Sequence, residues 1–323
     1  FLLRICCVLL AVRQVIQDVE VTVDVDAMIL LDVSGSVGNP NWNKEVDVAK
    51  KVMDTLRDEV DNDHKKVGYV AWATKVEAAE GLTDLVATPT AAQDKLLLLK
   101  ADTTNIGECG CMNSYPSPGC GCAGSCGGAC PAYTGGRLFS GGTVFSNPLA
   151  ECANAVLNSG AASVSETAYK MCMLITDGKA EGTDNCNQGT ILDGGQACIN
   201  VCSAVNLDLA NNQCTAKNLA KELRDQKNVS VVTVCVGCPD ATAKRDAYCY
   251  SDCAGKHGDG SWDDCETAVQ LYTDAQLEEC THYLIAEFDG TLDDKLVSHV
   301  HIFHIFHLSP NTFVLFKVLI DSL

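Results

Sequence analysis

Short runs of continuous apolar residues alternate along the chain with stretches where apolar residues return every three or four positions. Residues 27–31 (AMILL) are apolar without interruption. Such a run suits a strand covered on both faces, as in a parallel sheet. Trp42, Val46, Ala49, Met53, Leu56 and Val60 then recur at helical spacing, with Pro40 fitting the first turn. Residues 66–73 (KVGYVAWA) and 74–82 (TKVEAAEGL) read as a hairpin-like strand pair, and 91–101 as a helix. A well-punctuated helix is predicted over 146–160. Ser146 is its cap, Pro148 lies in its first turn, Leu149, Ala153, Val156 and Leu157 share a face, and Gly160 ends it. Residues 171–178 (MCMLITDG) form a second buried strand. Residues 215–227 form an amphipathic helix with Leu219 and Leu223 on one side. Residues 229–237 (VSVVTVCVG) form a third buried strand, rich in β-branched residues. This alternation predicts an α/β fold: a doubly wound, mostly parallel sheet flanked by helices.

Three segments break the alternation, at about 108–138, 183–214 and 238–280. They hold six, four and five cysteines. None shows an apolar core pattern of its own, so each reads as a cysteine-stapled insertion. All three fall after predicted strands or before the 140–145 loop, so they are expected on one face, as a collar around whatever binds there.

Composition narrows the function. Of 323 residues, 47% are apolar, which allows a sizeable core. The formal charge of −19 argues against a phosphate-backbone binder, so no nucleic acid is expected as a partner. Twenty cysteines point to an oxidising compartment and a secreted, extracellular chain. Residues 1–16 agree: Arg4 precedes the apolar run ICCVLLAV at 5–12, which fits the remnant of a signal peptide. Residues 298–323 carry His299, His301, His304 and His307 in an apolar setting. Pro310 and Lys317 interrupt what would otherwise resemble a membrane span. A disordered tail or a gene-model artefact is the expectation, and a membrane anchor the lesser alternative.

The candidate chemistry lies at strand ends. LLDVSGSVG (30–38) places Asp32, Ser34 and Ser36 after the first buried strand. SGGTVF (140–145) places Thr143 just before a helix. LITDG (174–178) places Asp177 after another buried strand. Ligands of open α/β sheets bind at the carboxyl ends of strands, where the winding reverses. Hydroxyls and carboxylates are hard ligands suited to Mg²⁺, or to Ca²⁺ or Mn²⁺. Only two carboxylates among them would leave an ion ready to accept one more.

These three elements, in this order, resemble the von Willebrand factor type A (VWA) domain and its metal-ion-dependent adhesion site, over about residues 22–297. The resemblance implies a Rossmann-like fold with one antiparallel edge strand and a divalent cation on the top face. Ser34, Ser36 and Thr143 would ligate directly, and Asp32 and Asp177 directly or through water. The family often has small polar residues after the threonine. Here Val144 and Phe145 follow, making Gly142, Val144 and Phe145 candidates for the ligand rim, although Phe145 also suits packing beneath the loop.

Removing Cys6 and Cys7 with a signal peptide leaves 18 cysteines, enough for nine bridges. Zinc is the rival, but structural sites favour paired C-x₂-C units and only Cys235/Cys238 has that spacing. Cys172 and Cys235 lie inside buried strands and suit simple apolar packing. Asn228-Val229-Ser230 is a glycosylation sequon at a helix-to-strand turn. His64, His257 and His282 read as ordinary surface residues. With no G-x-S-x-G elbow and no H-E-x-x-H helix, no enzyme is expected. The reading is an extracellular adhesion or matrix-type module whose cation takes a carboxylate from a partner protein or acidic glycan. The alternatives are an intracellular subunit of a chelatase-like or ATPase-like assembly, or a scaffold that binds through its cysteine-rich loops without metal.

Overall fold

Six strands form one sheet in the order β3-β2-β1-β4-β5-β6. A computed structural model describes residues 24–34, 36–58, 65–73, 76–85, 87–100, 143–158, 168–178 and 215–286. The strands are β1 (Val25–Asp32), β2 (Lys65–Trp72), β3 (Val76–Asp84), β4 (Tyr169–Thr176), β5 (Val229–Val236) and β6 (Tyr283–Ala286). Every pairing is parallel except β2 with β3, which is antiparallel. The fold class read from the sequence therefore stands, including the single antiparallel edge strand.

The apolar runs form strands because helices cover both faces of the sheet. Along β1, Ala27, Ile29 and Leu31 enter one core, shared with Trp42, Val46, Ala49 and Met53 of α1 (Gly38–Asp58) and with Ala92 and Leu96 of α2 (Ala91–Leu97). Met28 and Leu30 enter the other. That core is shared with Leu149, Ala153 and Val156 of α3 (Ser146–Leu157) and with Leu219 and Leu223 of α4 (Ala216–Lys227). Period-two alternation persists, but both faces are apolar, so it reads as an unbroken run.

Boundaries depart from the periodicity in two places. Helix α2 ends at Leu97, with Leu99 and Lys100 donating to the Leu96 and Leu97 carbonyls in a tighter turn. Phe145, not Ser146, is the cap residue of α3, without a side-chain capping bond. Ser146 is buried in the first turn. The cap of α4 is as expected, Thr215 accepting from the Asn218 amide.

The segment 238–280 differs from its reading as an insertion without a core. It is the crossover from β5 to β6, built from α5 (Ala241–Tyr250), a 3₁₀ turn (Asp252–Lys256), α6 (Trp262–Ala268) and α7 (Asp274–Leu277). Ala243, Ala247, Tyr248, Val269, Leu277 and Tyr283 share a buried cluster with six half-cystines, five of them in this segment. The half-cystines fill apolar positions, so a count of hydrophobic residues alone undervalues the segment. Cys249–Cys265 and Cys253–Cys280 staple it. The segments 108–138 and 183–214, the expected signal remnant at 1–16 and the tail at 298–323 lie outside the described residues.

Among the described residues, no helix is long and apolar enough to cross a membrane.

Candidate metal centre

β1 lies at the winding reversal. The chain leaves it through α1 to β2 on one side, and later places β4 on the other. The carboxyl ends of β1 and β4 therefore diverge into separate loops, and the space above them is open to side chains from both. Asp32 closes β1 and Asp177 directly follows β4. Thr143 arrives from a third segment, where the Val144 amide donates to the Ala73 carbonyl at the end of β2.

Short hydrogen bonds tie these residues together. The Ser34 amide donates to Asp32 Oδ1 at 2.8 Å, a turn that points the carboxylate back over its own loop. Ser34 and Ser36 hydroxyls are 3.0 Å apart. Ser36 Oγ donates to Asp177 Oδ1 at 2.9 Å across 141 positions of sequence. A Cβ placed on Gly178 would meet Thr143 Oγ1 at 3.3 Å, so the Thr143 hydroxyl lies against the backbone that follows Asp177. The structure thus brings together all five residues read from the sequence: Asp32, Ser34, Ser36, Thr143 and Asp177. Asp32, Ser34, Thr143 and Asp177 are buried, while Ser36 is exposed.

Two residues join the group that motif spacing did not pick out. Thr176, fully buried, donates its hydroxyl to Asp32 Oδ2 at 2.6 Å and accepts from the Gly178 amide at 3.2 Å. Glu45, on α1, is fully buried, and neither of its carboxylate oxygens has a hydrogen-bond partner. A signal existed for each. Thr176 is the polar end of an apolar strand. Glu45 stands three positions after Trp42 and four before Ala49, on the buried stripe of α1.

The electrostatics are those of crowded, desolvated carboxylates. Burial pushes Asp32 up to about 7, opposed by the Thr176 hydroxyl and the Ser34 amide and reinforced by Asp177. Burial also raises Asp177, against the hydrogen bond from Ser36. Glu45 is held well above the usual carboxylate range by burial, then by Asp32 and Asp177. The charges acting on Asp32 and Glu45 are thus other carboxylates, an arrangement that a bound cation would relieve. The donors are all hard oxygens, and they fit a divalent ion such as Mg²⁺ or Ca²⁺. Among the described residues, no three His, Cys, Asp or Glu side chains converge directly on one point, so the hydroxyls are needed to complete a ligand set.

Of the two roles open to Phe145 in the sequence, the structure takes packing beneath the loop. Phe145 is fully buried between Trp72 and Tyr250, with edge-to-face ring contacts at 5.3 and 4.7 Å. It supports the Thr143 loop from beneath, so it offers no apolar surface beside an ion. Val144 is also buried. Gly142 lies outside the described residues.

Cys172 and Cys235 are not isolated apolar packing residues. Cys152–Cys172 joins α3 to β4, and Cys235–Cys238 closes the turn after β5, where Gly237 takes a φ of 62°. The C-x₂-C pair is thus a disulfide and not half of a zinc site. Cys238 Sγ lies 3.9 Å from the Thr176 carbonyl. A half-cystine has no proton to donate, so this is packing against the end of β4. Asn228 of the sequon is exposed and caps α4 in the left-handed conformation, with φ 52°.

No known family model matches the sequence, and no curated protein does. Solved structures with a similar fold exist. Proximal thread matrix protein 1 from the mussel byssus is 14% identical, over 87% of this chain and 47% of that one, with a TM-score of 0.45. The manganese-loaded TRAP protein of Plasmodium vivax is 16% identical, over 86% and 72%, with a TM-score of 0.39. The pilus adhesin SpaC from Lactobacillus rhamnosus GG is 13% identical, over 88% and 30%, with a TM-score of 0.42. This chain spans about half the length of the mussel chains it matches.

Proposed function

We propose that this chain is a VWA-type protein-binding module, non-enzymatic and extracellular, which holds a divalent cation and through it takes a carboxylate of a partner. One observation carries the reading. Two carboxylates and three hydroxyls from three separate segments meet at the carboxyl end of the sheet where the winding reverses, and the buried Asp32 is raised to about 7 by burial and a neighbouring carboxylate. Such a cluster is costly unless a cation or protons relieve it.

Asp32, Ser34, Ser36, Thr143 and Asp177 would hold the ion. A bound Mg²⁺ there would supply a Lewis-acidic point for one more oxygen ligand. The residues of the chain do the rest. Thr176 and the Ser34 amide fix the two oxygens of Asp32. Phe145 wedges the Thr143 loop against Trp72 and Tyr250. Ser36, exposed, stands where an incoming acid would approach. Four disulfides among the described residues support an oxidising, extracellular setting over an intracellular assembly.

A solid-phase assay over a panel of extracellular-matrix proteins and acidic glycans, in Mg²⁺ and then in chelator, tests the reading. Binding that is lost in chelator and in Asp177→Ala supports it. Binding that persists in chelator assigns recognition to the cysteine-rich loops instead.

A further inference from the structure

The buried carboxylate of Glu45 has no place in the ligand set that the sequence motifs define. Its helix begins at Gly38, two residues beyond Ser36. Side chains on a helix lean toward its N-terminus, and the charges that act on Glu45 are those of Asp32 and Asp177, which flank the Ser34–Ser36 loop. Both oxygens are buried without a hydrogen-bond partner. An ionised carboxylate in that condition is strongly disfavoured unless a positive charge lies within reach. The neighbouring charges that act on it are Asp32 and Asp177, which are themselves candidate ligands. A glutamine or an apolar residue would fill the same space on the α1 stripe without that cost.

Resting on the proposed cation site, we propose that Glu45 is its third carboxylate, an outer positioning residue that adds negative charge behind the direct ligands. It would tighten the hold on a divalent cation without contacting the partner. It would also link the seating of α1 against the sheet to occupancy, since the cation is what compensates Glu45. The consequence for recognition is that the ion is retained by the protein alone, before any partner arrives.

The test is calorimetric titration of the full chain with Mg²⁺ and with Mn²⁺ at neutral pH, alongside thermal unfolding without metal. Glu45→Gln should weaken both ions about tenfold or more, the scale expected for removing one charge close to a divalent ion at a partly buried site. Its metal-free unfolding temperature should rise, because the cost of keeping a buried carboxyl group beside Asp32 and Asp177 is gone. Glu45→Asp, which keeps the charge, should retain most of the affinity. Asp54→Asn, further along α1 and held by Lys50 and Arg57, should titrate like the wild type. Equal affinities in wild type and Glu45→Gln would overturn the inference while leaving the cation site standing. So would a Glu45→Gln chain without a cooperative transition, or an equal loss in Asp54→Asn. A wild type that takes up neither ion would overturn both the inference and the site.

Discussion

Thr176 donates its hydroxyl to Asp32 Oδ2 at 2.6 Å, joining the last residue of β4 to the last residue of β1. Both residues are fully buried, so the bond forms away from competing water. It fixes one oxygen of Asp32 while the Ser34 amide fixes the other. Thr176→Val keeps the shape and removes the hydroxyl. It should cost about 1–3 kcal/mol in urea unfolding, the range for leaving a buried polar group unsatisfied. It should also weaken cation uptake, because Asp32 loses one of the bonds that favour its ionised form. Unchanged stability would mean that Asp32 finds another donor.

Acid should stabilise the metal-free protein locally at this site. Burial raises Asp32 from its ordinary 3.8 to about 7, so the folded state binds a proton that the unfolded state releases. The contribution is fully present below the ordinary value and is lost as pH rises through about 7. Protons and cation compete for the same carboxylate, so affinity for Mg²⁺ should increase across that window. Denaturant midpoints and titrations at stepped pH, for wild type and Asp32→Asn, check both signs. The variant should flatten the stability profile.

Phe145→Ala should cost about 3–5 kcal/mol, the usual range for emptying a buried aromatic site. Phe145 is fully buried. Its ring meets Trp72 and Tyr250, one at the end of β2 and one at the end of α5. Thermal unfolding reads the loss. A drop below about 1 kcal/mol would show that the surrounding side chains collapse into the space.

The helical crossover between β5 and β6 should depend on its staples. Cys249–Cys265 and Cys253–Cys280 close loops of 16 and 27 residues within one buried cluster. Removing either by paired Ala substitution should cost about 2–4 kcal/mol. Alkylation of the native protein should leave all eight paired cysteines among the described residues unlabelled, and labelling there would place the chain in a reducing compartment.

The sheet was legible in the sequence because parallel strands covered on both faces leave unbroken apolar runs, as 27–31 and 229–237 show. The five candidate oxygens could be singled out because Asp32 and Asp177 stand at strand ends, Ser34 and Ser36 in the loop after β1, and Thr143 just before α3. Other features were hidden for physical reasons. Ser146 has the chemistry of a cap, but burial of the α3 start between Phe145 and Leu149 decided the boundary instead. Cys172 and Cys235 look like apolar strand residues until their partners, Cys152 and Cys238, are seen in space. The crossover at 238–280 reads as a cysteine-stapled insertion because many of its core positions are occupied by cysteine, alanine and tyrosine. Glu45 stands on the apolar stripe of α1 between Trp42 and Ala49, but only tertiary packing reveals that its carboxylate is buried without a hydrogen-bond partner.

Direct titration of the full chain with Mg²⁺, for wild type, Thr143→Ala and Asp177→Ala, tests the central claim. The two substitutions remove oxygens from different segments and touch neither apolar core. The wild type should bind one Mg²⁺ saturably. Thr143→Ala should bind more weakly, and Asp177→Ala more weakly still, because it loses a charge as well as a ligand. Metal-free unfolding should barely change in either variant, and it should rise slightly in Asp177→Ala as repulsion with Asp32 is relieved. Wild-type protein that takes up no divalent cation, or an Asp177→Ala variant that binds as tightly as wild type, would contradict the account.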